Sequence, residues 1–478
     1  MYYRLSKLAN KTGTELIAAI ATTPENATHL DLSENLLGNK NINDLIPAFL
    51  VIPKQVTSLN LGFNFFGHKE NDELIYLLNA IPETVSELDW HGNAFDKKSA
   101  AELAELLAAI PENIRSLNLG GNALGDKSDD EIIEILSAIP PHISHLNLSR
   151  NHFSKKTGAQ LRRILATIPA TVLSLDLSWN QLFENNTPGT GLAFQYLSPT
   201  LTHLNLSGNY LNKRNTALII EDLKALPPTV TLLDLSDNNL GDKSGSKLVK
   251  IFAATPPGVT HVILSGNRLG CKSGTELAAL LGAFPPHIIS INISDNNLGD
   301  KSCAELVEAF SGFKPTVTSI NLQGNDLSNK SSRELKEILA ALPPTVSFLD
   351  LQRNNLEQRI SEASLLISKE IERLNKSTKL SKNFWVNAGC FKASDEKIAV
   401  LHDLKDLINN VYSINNIQFH KELLAWKENN LRVVNEQRNM LHAFFVPKHQ
   451  TTASLMIEKI FSDLEISKEN SSTSSYKY

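Results

Sequence analysis

Apolar and polar positions along the chain follow one short pattern, rewritten at a fixed interval. Its clearest copy is TVTLLDLSDNNLGDK, from Thr229 to Lys243, where Leu233 and Leu235 alternate with polar residues ahead of Asn238. A period of two predicts a short strand with one face turned inward. The asparagine that closes the alternation recurs at Asn35, Asn64, Asn93, Asn122, Asn151, Asn180, Asn209, Asn238, Asn267, Asn296, Asn325 and Asn354, and every interval is 29 residues. Units of identical length predict strands stacked in phase as a parallel sheet.

After each asparagine the apolar spacing becomes helical, as in Leu103, Leu106, Leu107 and Ile110. Ser or Thr followed three residues on by Glu (Ser99/Glu102, Ser128/Glu131, Ser273/Glu276, Ser302/Glu305, Ser331/Glu334) predicts a capping box at the helix start. Pro111, Pro140, Pro169, Pro227, Pro256, Pro285 and Pro343 stop the helix at the same step. A carboxamide just past each strand can satisfy backbone groups that have left the ladder, which predicts a buried structural role for the asparagines. The Lys or Arg ahead of the helix cap in most copies (Lys40, Lys69, Lys98, Lys127, Lys156, Arg214, Lys243, Lys272, Lys301, Lys330, Arg359) reads as a solvated turn rather than a basic ladder. Strands stack about 4.8 Å apart and helices about 8–10 Å apart, so a stack of both must curve. The expected fold is an α/β solenoid, a horseshoe with its parallel sheet on the concave face and helices on the convex face, followed by a small all-α C-terminal module.

The expected organisation is a capping half-repeat at 1–26, with a helix capped from Thr12 and ending near Pro24, and then twelve repeats at 27–356. A capping helix at 357–375, a helical module at 376–466 and a disordered tail at 467–478 follow. Leu401 and Leu404 lie on an apolar stripe of that module, and the Ser-rich tail has nothing to bury. The sixth repeat departs from the rule. Asn185 to Gly191 brings two glycines and a proline to the place where a helix should begin, which predicts an irregular loop; drift and function both remain open as its cause.

Composition narrows the function classes. Forty-six basic residues against 51 acidic ones give a net charge of −5, and no basic face suggests nucleic acid. No apolar run is long enough to span a bilayer, and the first residues carry no secretory signal pattern. Cys271, Cys303 and Cys390 form no disulfide or metal framework, so a reducing compartment is expected. The glycosylation-type triplets at Asn147, Asn205 and Asn292 fall on predicted strands. No cofactor or metal is expected, and the chain is expected to be a monomer.

The pattern x-L-N/D-L-S-x-N-x-L-G-D-K-S-x-x-E-L…L-A-A-I-P-P-T-V resembles the leucine-rich-repeat effectors of Legionella, of the ribonuclease-inhibitor-like subtype, over about residues 12–360. The resemblance implies delivery into a host cell by the Dot/Icm type IV system and binding of a host protein, with no catalytic residues. The localisation it implies is the bacterial cytoplasm before export and the host cytoplasm afterwards. It also implies an export signal at the C-terminus, in flexible Ser-, Thr-, Lys- and Glu-containing chain.

The outward strand positions are the candidate surface. Asp or Asn stands four residues before nearly every repeat asparagine, from Asp31 to Asp350, and His29, His145, His203 and His261 stand six before it. Alternate strands lie about 9–10 Å apart, too far for two of these histidines to share an ion, so the columns read as a polar sheet face. Departures from the columns mark a candidate partner-binding patch: Arg150, His152, Trp179, Tyr210, Leu232, Ile263 and Arg268. Exposed Trp, Tyr and Arg are the types that anchor interfaces. Trp90, replacing an inward Leu, reads as core, and Phe63 suggests a second patch at one edge. The expected function is a non-catalytic protein-binding scaffold acting through the concave face. The alternative is an enzyme or enzyme regulator, ubiquitin-ligase-like or GTPase-activating, with its activity in residues 376–466.

Overall fold

Three residues suffice for a strand because the repeats before and after it supply its partners, as β2 and β4 do for β3. The computed structural model describes residues 1–184, 191–354 and 399–406, together with Ser368 and Trp426. Among the described residues thirteen strands follow one another in chain order. Two units divide the chain, Met1–Asn267 with Ala283–Ile288, and Arg268–Gly282 with Ile289–Tyr478. In the first unit β1 (Tyr2–Arg4), β2 (His29–Asp31), β3 (Ser58–Asn60), β4 (Glu87–Asp89), β5 (Ser116–Asn118), β6 (His145–Asn147), β7 (Ser174–Asp176), β8 (His203–Asn205), β9 (Leu232–Asp234) and β10 (His261–Ile263) pair in parallel, each with the next. In the second unit β11 (Ser290–Asn292), β12 (Ser319–Asn321) and β13 (Phe348–Asp350) do the same. The middle residue of each strand faces the core and the outer two face away from it, as at Ser174, Leu175 and Asp176.

One strand more is present than the twelve expected. β1 pairs with β2 at an offset of 27 residues, while later strands keep 29. Beyond the strand the 29-residue phase returns, since the Lys40 ammonium donates to the Lys11 carbonyl 29 residues back. Two residues are therefore missing from the first turn, and the asparagine position is lost with them. The helix Gly13–Ala21 follows, but the Thr12 hydroxyl makes no cap bond, against the expectation.

The asparagine side chains stitch repeat to repeat. Asn209 Oδ1 accepts from the backbone N–H of Asn180 at 3.0 Å and of Leu182 at 3.2 Å, while its Nδ2 donates to the carbonyls of Leu177 at 3.0 Å and Ser207 at 3.2 Å. The same bonds recur along the column, and all twelve side chains are buried. The capping boxes close as their sequence predicts at Ser99, Ser128, Ser302 and Ser331, and a Thr157/Gln160 version appears as well.

The lysine ahead of the cap is not a solvated turn. Lys40, Lys69, Lys98 and Lys243 are buried, and each ammonium reaches back to the carbonyl of its counterpart one repeat earlier: Lys69 to Lys40 at 2.7 Å, Lys98 to Lys69 at 2.7 Å, Lys243 to Arg214 at 2.6 Å. Lysine serves because a flexible stem can lie along apolar surface and carry three donors into a turn whose carbonyls lack helix partners. Burial pulls the pKa of Lys40, Lys98 and Lys243 down, the cost of keeping an ammonium there.

The sixth repeat carries a short 3-10 segment, Gly191–Tyr196, where its neighbours have a longer helix. Residues 185–190 of the expected irregular loop lie outside the described residues. So do the expected capping helix 357–375 apart from Ser368, most of the module 376–466, Cys390 and the tail 467–478. Residues 399–406 are helical, with Leu401 and Leu404 buried.

Candidate functional site

Every described strand except β1 and β10 ends in an outward Asp or Asn, which builds the turn that follows. Its Oδ1 accepts the N–H two residues on: Asn147 from Ser149 at 2.8 Å, Asp176 from Ser178 at 2.7 Å, Asn205 from Ser207 at 2.9 Å. The Asp/Asn column is thus a row of strand terminators, a short side chain capturing its own backbone. The histidine column is satisfied locally too, with the Nδ1 of His145 2.9 Å from the Ser144 hydroxyl and that of His203 2.8 Å from the Thr202 hydroxyl. Among the described residues no group of three or more His, Cys, Asp or Glu side chains is placed to hold a metal ion.

Past this turn the backbone is left-handed on both sides of the repeat asparagine. Trp179 and Gln181 flank Asn180 with φ of 56° and 57°. The residue before the asparagine leans over the next repeat, and its successor there makes room. A Cβ added to Gly208 would lie 2.5 Å from the Trp179 indole, so the ring rests on the glycine backbone. Gly92 makes the same room for Phe63, and Gly266 for Asp237. Sequence reasoning passed over Gly208, although the alternation of a large residue with glycine in this column was there to read.

From the other side the Arg150 guanidinium lies over the Trp179 ring, 4.8 Å from its centroid. Trp179 is 43% exposed in this stack, a large aromatic surface held rigid between a cation and a backbone. On the sheet face, strand register sets Leu232 beside His203 and His261, and Ile263 beside Asp234. Burial pushes the Asp234 carboxyl up, though it accepts from the Ser236 N–H and hydroxyl. The face of β8–β10 is therefore less polar than a run of Asp, Asn and His would make it.

Other members of the sequence-derived patch stand apart from this stack. Tyr210 and His152 begin the 3-10 turns beyond the strands. The Lys213 ammonium sits 4.7 Å from the Tyr210 ring centroid and also pairs with Glu184 at 2.9 Å. His152 faces Asp126 at 3.2 Å, and Lys155 approaches the same carboxylate at 2.7 Å; the Lys155 hydrogen bond is the main reason the Asp126 pKa is lowered. Arg268 is exposed and opens the second unit. Trp90 is buried and meets Phe95 edge-on with ring centroids 5.5 Å apart.

The Leucine Rich repeat family matches residues 111–128, 197–212, 227–249 and 285–307. The crystal structure of the leucine-rich repeat-containing protein LegL7 from Legionella pneumophila is 31% identical, over 73% of this chain and 89% of that one, with a TM-score of 0.48. The chain belongs to the leucine-rich-repeat family. No curated protein matches it. In leucine-rich-repeat terms, the Arg150–Trp179–Gly208 stack occupies the position before the repeat asparagine in three successive repeats, where residues 29 apart become neighbours. No helix among the described residues of this leucine-rich-repeat protein is long and apolar enough to cross a membrane.

Proposed function

We propose that this protein is a non-catalytic scaffold that holds a host protein on the sheet face of β6–β10, as an effector of the kind found in Legionella. The Arg150–Trp179 stack carries this reading. An exposed indole, fixed on one side by a guanidinium and on the other by the Gly208 backbone, loses little freedom when a partner covers it. The apolar side chains of Leu232 and Ile263 extend the surface over the neighbouring strands, and Arg150 brings a planar donor for a partner carboxylate or carbonyl. Relatedness by sequence to a Legionella protein supports the bacterial setting.

With the partner captured from host lysate by the parent protein and then purified, Trp179→Ala is expected to weaken binding by about 1–2 kcal/mol or more, with the denaturation midpoint unchanged. Gly208→Ala should weaken it too, because the new methyl must push the indole off its seat. Undiminished binding by both variants would overturn the assignment.

Export by a type IV system into the host cytoplasm is part of the same proposal, with the signal in residues 467–478. A reporter fusion lacking those residues should fail to reach the host while keeping its stability and partner binding. Undiminished delivery refutes the export role.

A further inference from the structure

We infer that the first two repeats carry a second docking site, for a protein segment that presents an apolar side chain beside lysine or arginine. Three large apolar residues stand exposed where most other repeats place small or polar ones: Leu36, Phe63 and Phe65 are 40%, 48% and 43% exposed. Phe63 and Phe65 flank Asn64, and Leu36 is the counterpart of Phe65 one repeat earlier. Each begins or precedes a 3-10 turn in the left-handed region, with φ of 56°, 53° and 62°. Bulky side chains are outliers in that region. The fold does not require them, since Ala94 and Ala123 fill the Leu36 and Phe65 position in the next two repeats, with φ of 59° and 52°. At Leu36 and Phe65 apolar bulk is thus kept at exposed, left-handed positions where alanine serves the next two repeats, and at Phe63 where they have glycine.

The cluster is also built to stay in place. The Phe63 ring rests over Gly92 and the His91 ring over Gly62, each glycine leaving space that a Cβ would fill. The two rings meet edge-on with centroids 4.4 Å apart. His91 is fixed in turn by Asp89, whose Oδ1 lies 2.7 Å from its Nδ1.

Charge selects the occupant. The outward residues of β1–β4 and the turns after them include four carboxylates, Asp31, Glu34, Glu87 and Asp89, against two cations, Arg4 and Lys7; Asp31 is buried against Tyr2 and Arg4, and the other three are open to solvent to some degree. The side chain of Glu34 is 63% exposed, next to the cluster. The carboxylates of Asp89, Asp31 and Glu34 all act on His91 and hold its pKa above the usual imidazole value. An apolar surface in an acidic field favours a cationic amphipathic segment and disfavours an anionic lipid surface. The site lies in repeats one and two, apart from Trp179, and can be tested independently of it.

The test uses the full chain and two short labelled peptides, one of alternating leucine and arginine and one with glutamate in place of arginine, read by fluorescence anisotropy. The arginine peptide is expected to bind and the glutamate peptide not. Leu36→Ala combined with Phe65→Ala should weaken binding about tenfold or more, while Trp179→Ala leaves it unchanged. Circular dichroism should find the double variant folded, because alanine is native at the mutated position in repeats three and four, and Trp179→Ala folded because its indole is a surface group. Equal binding of the two peptides, or of the arginine peptide to parent and double variant, overturns the proposal. Loss of peptide binding in Trp179→Ala, or capture by phosphatidylserine vesicles that the double variant abolishes, overturns it in favour of the other face or of a lipid surface.

Discussion

Asn209→Ala is expected to lower the unfolding free energy by about 4 kcal/mol, seen as a large fall in the urea midpoint. The side chain is fully buried and serves four backbone groups: the N–H groups of Asn180 and Leu182, and the carbonyls of Leu177 and Ser207. Each buried group left unpaired costs about 1–3 kcal/mol, and part of the sum is recovered as the turn relaxes. Asn209→Asp tests the same geometry from another side. A carboxylate could accept from both N–H groups, but it would set its second oxygen against two carbonyls, so it should fare no better than alanine. Because the bonds run between repeats, the loss falls on the coupling of adjacent units as well as on one unit. A midpoint shift near zero for the alanine variant would show that the backbone finds other partners.

That asparagine was legible in the chain because one residue type meets a demand that never changes, at an interval that never changes. The capping boxes were legible for the same reason: Ser99 and Glu102 close a circuit within three residues of chain, whatever surrounds them. β1 escaped notice because its turn is two residues short, which moves Tyr2–Arg4 out of the period and removes the asparagine that announces a strand. The lysine column is not legible in the chain, for a different reason. Residue type places a lysine in water, but the burial of Lys98 is set by the Lys69 carbonyl, a group that every residue has and no sequence pattern advertises.

The Asp/Asn column likewise has the composition of a wet surface, and its role in ending the strands depends on side-chain geometry that composition does not encode. For the candidate site, the period told which residues are neighbours, so Arg150 and Trp179 could be paired in advance. That Tyr210 and His152 are engaged by Lys213 and Asp126 depends on side-chain reach, which periodicity does not encode.

Asp222→Leu is expected to cost about 3–5 kcal/mol, although it writes the sequence its neighbours already carry. Its position is apolar and buried in the surrounding repeats, as at Leu106, Ile135, Ile164, Ile251 and Leu280. In the seventh repeat the column that holds lysine in most repeats holds Arg214, which is 1% exposed and pairs with Asp222 through Nε at 2.8 Å and a terminal nitrogen at 2.9 Å. The guanidinium also lies 5.4 Å from the centroid of the buried Phe183 ring. Burial pushes the Asp222 carboxyl up even against that guanidinium, so desolvation outweighs the attraction and the pair as a whole stabilises little. Removing the carboxylate alone is another matter, because it takes the bidentate acceptor from a buried guanidinium. Adding Arg214→Lys to Asp222→Leu restores the combination used in neighbouring repeats, whose lysines reach backbone carbonyls instead, and should recover most of the loss. Urea unfolding of the two single variants and the double variant gives the coupling directly. An Asp222→Leu variant as stable as the parent, or a double variant no better than that single one, would mean that the ion pair is not what holds Arg214 inside.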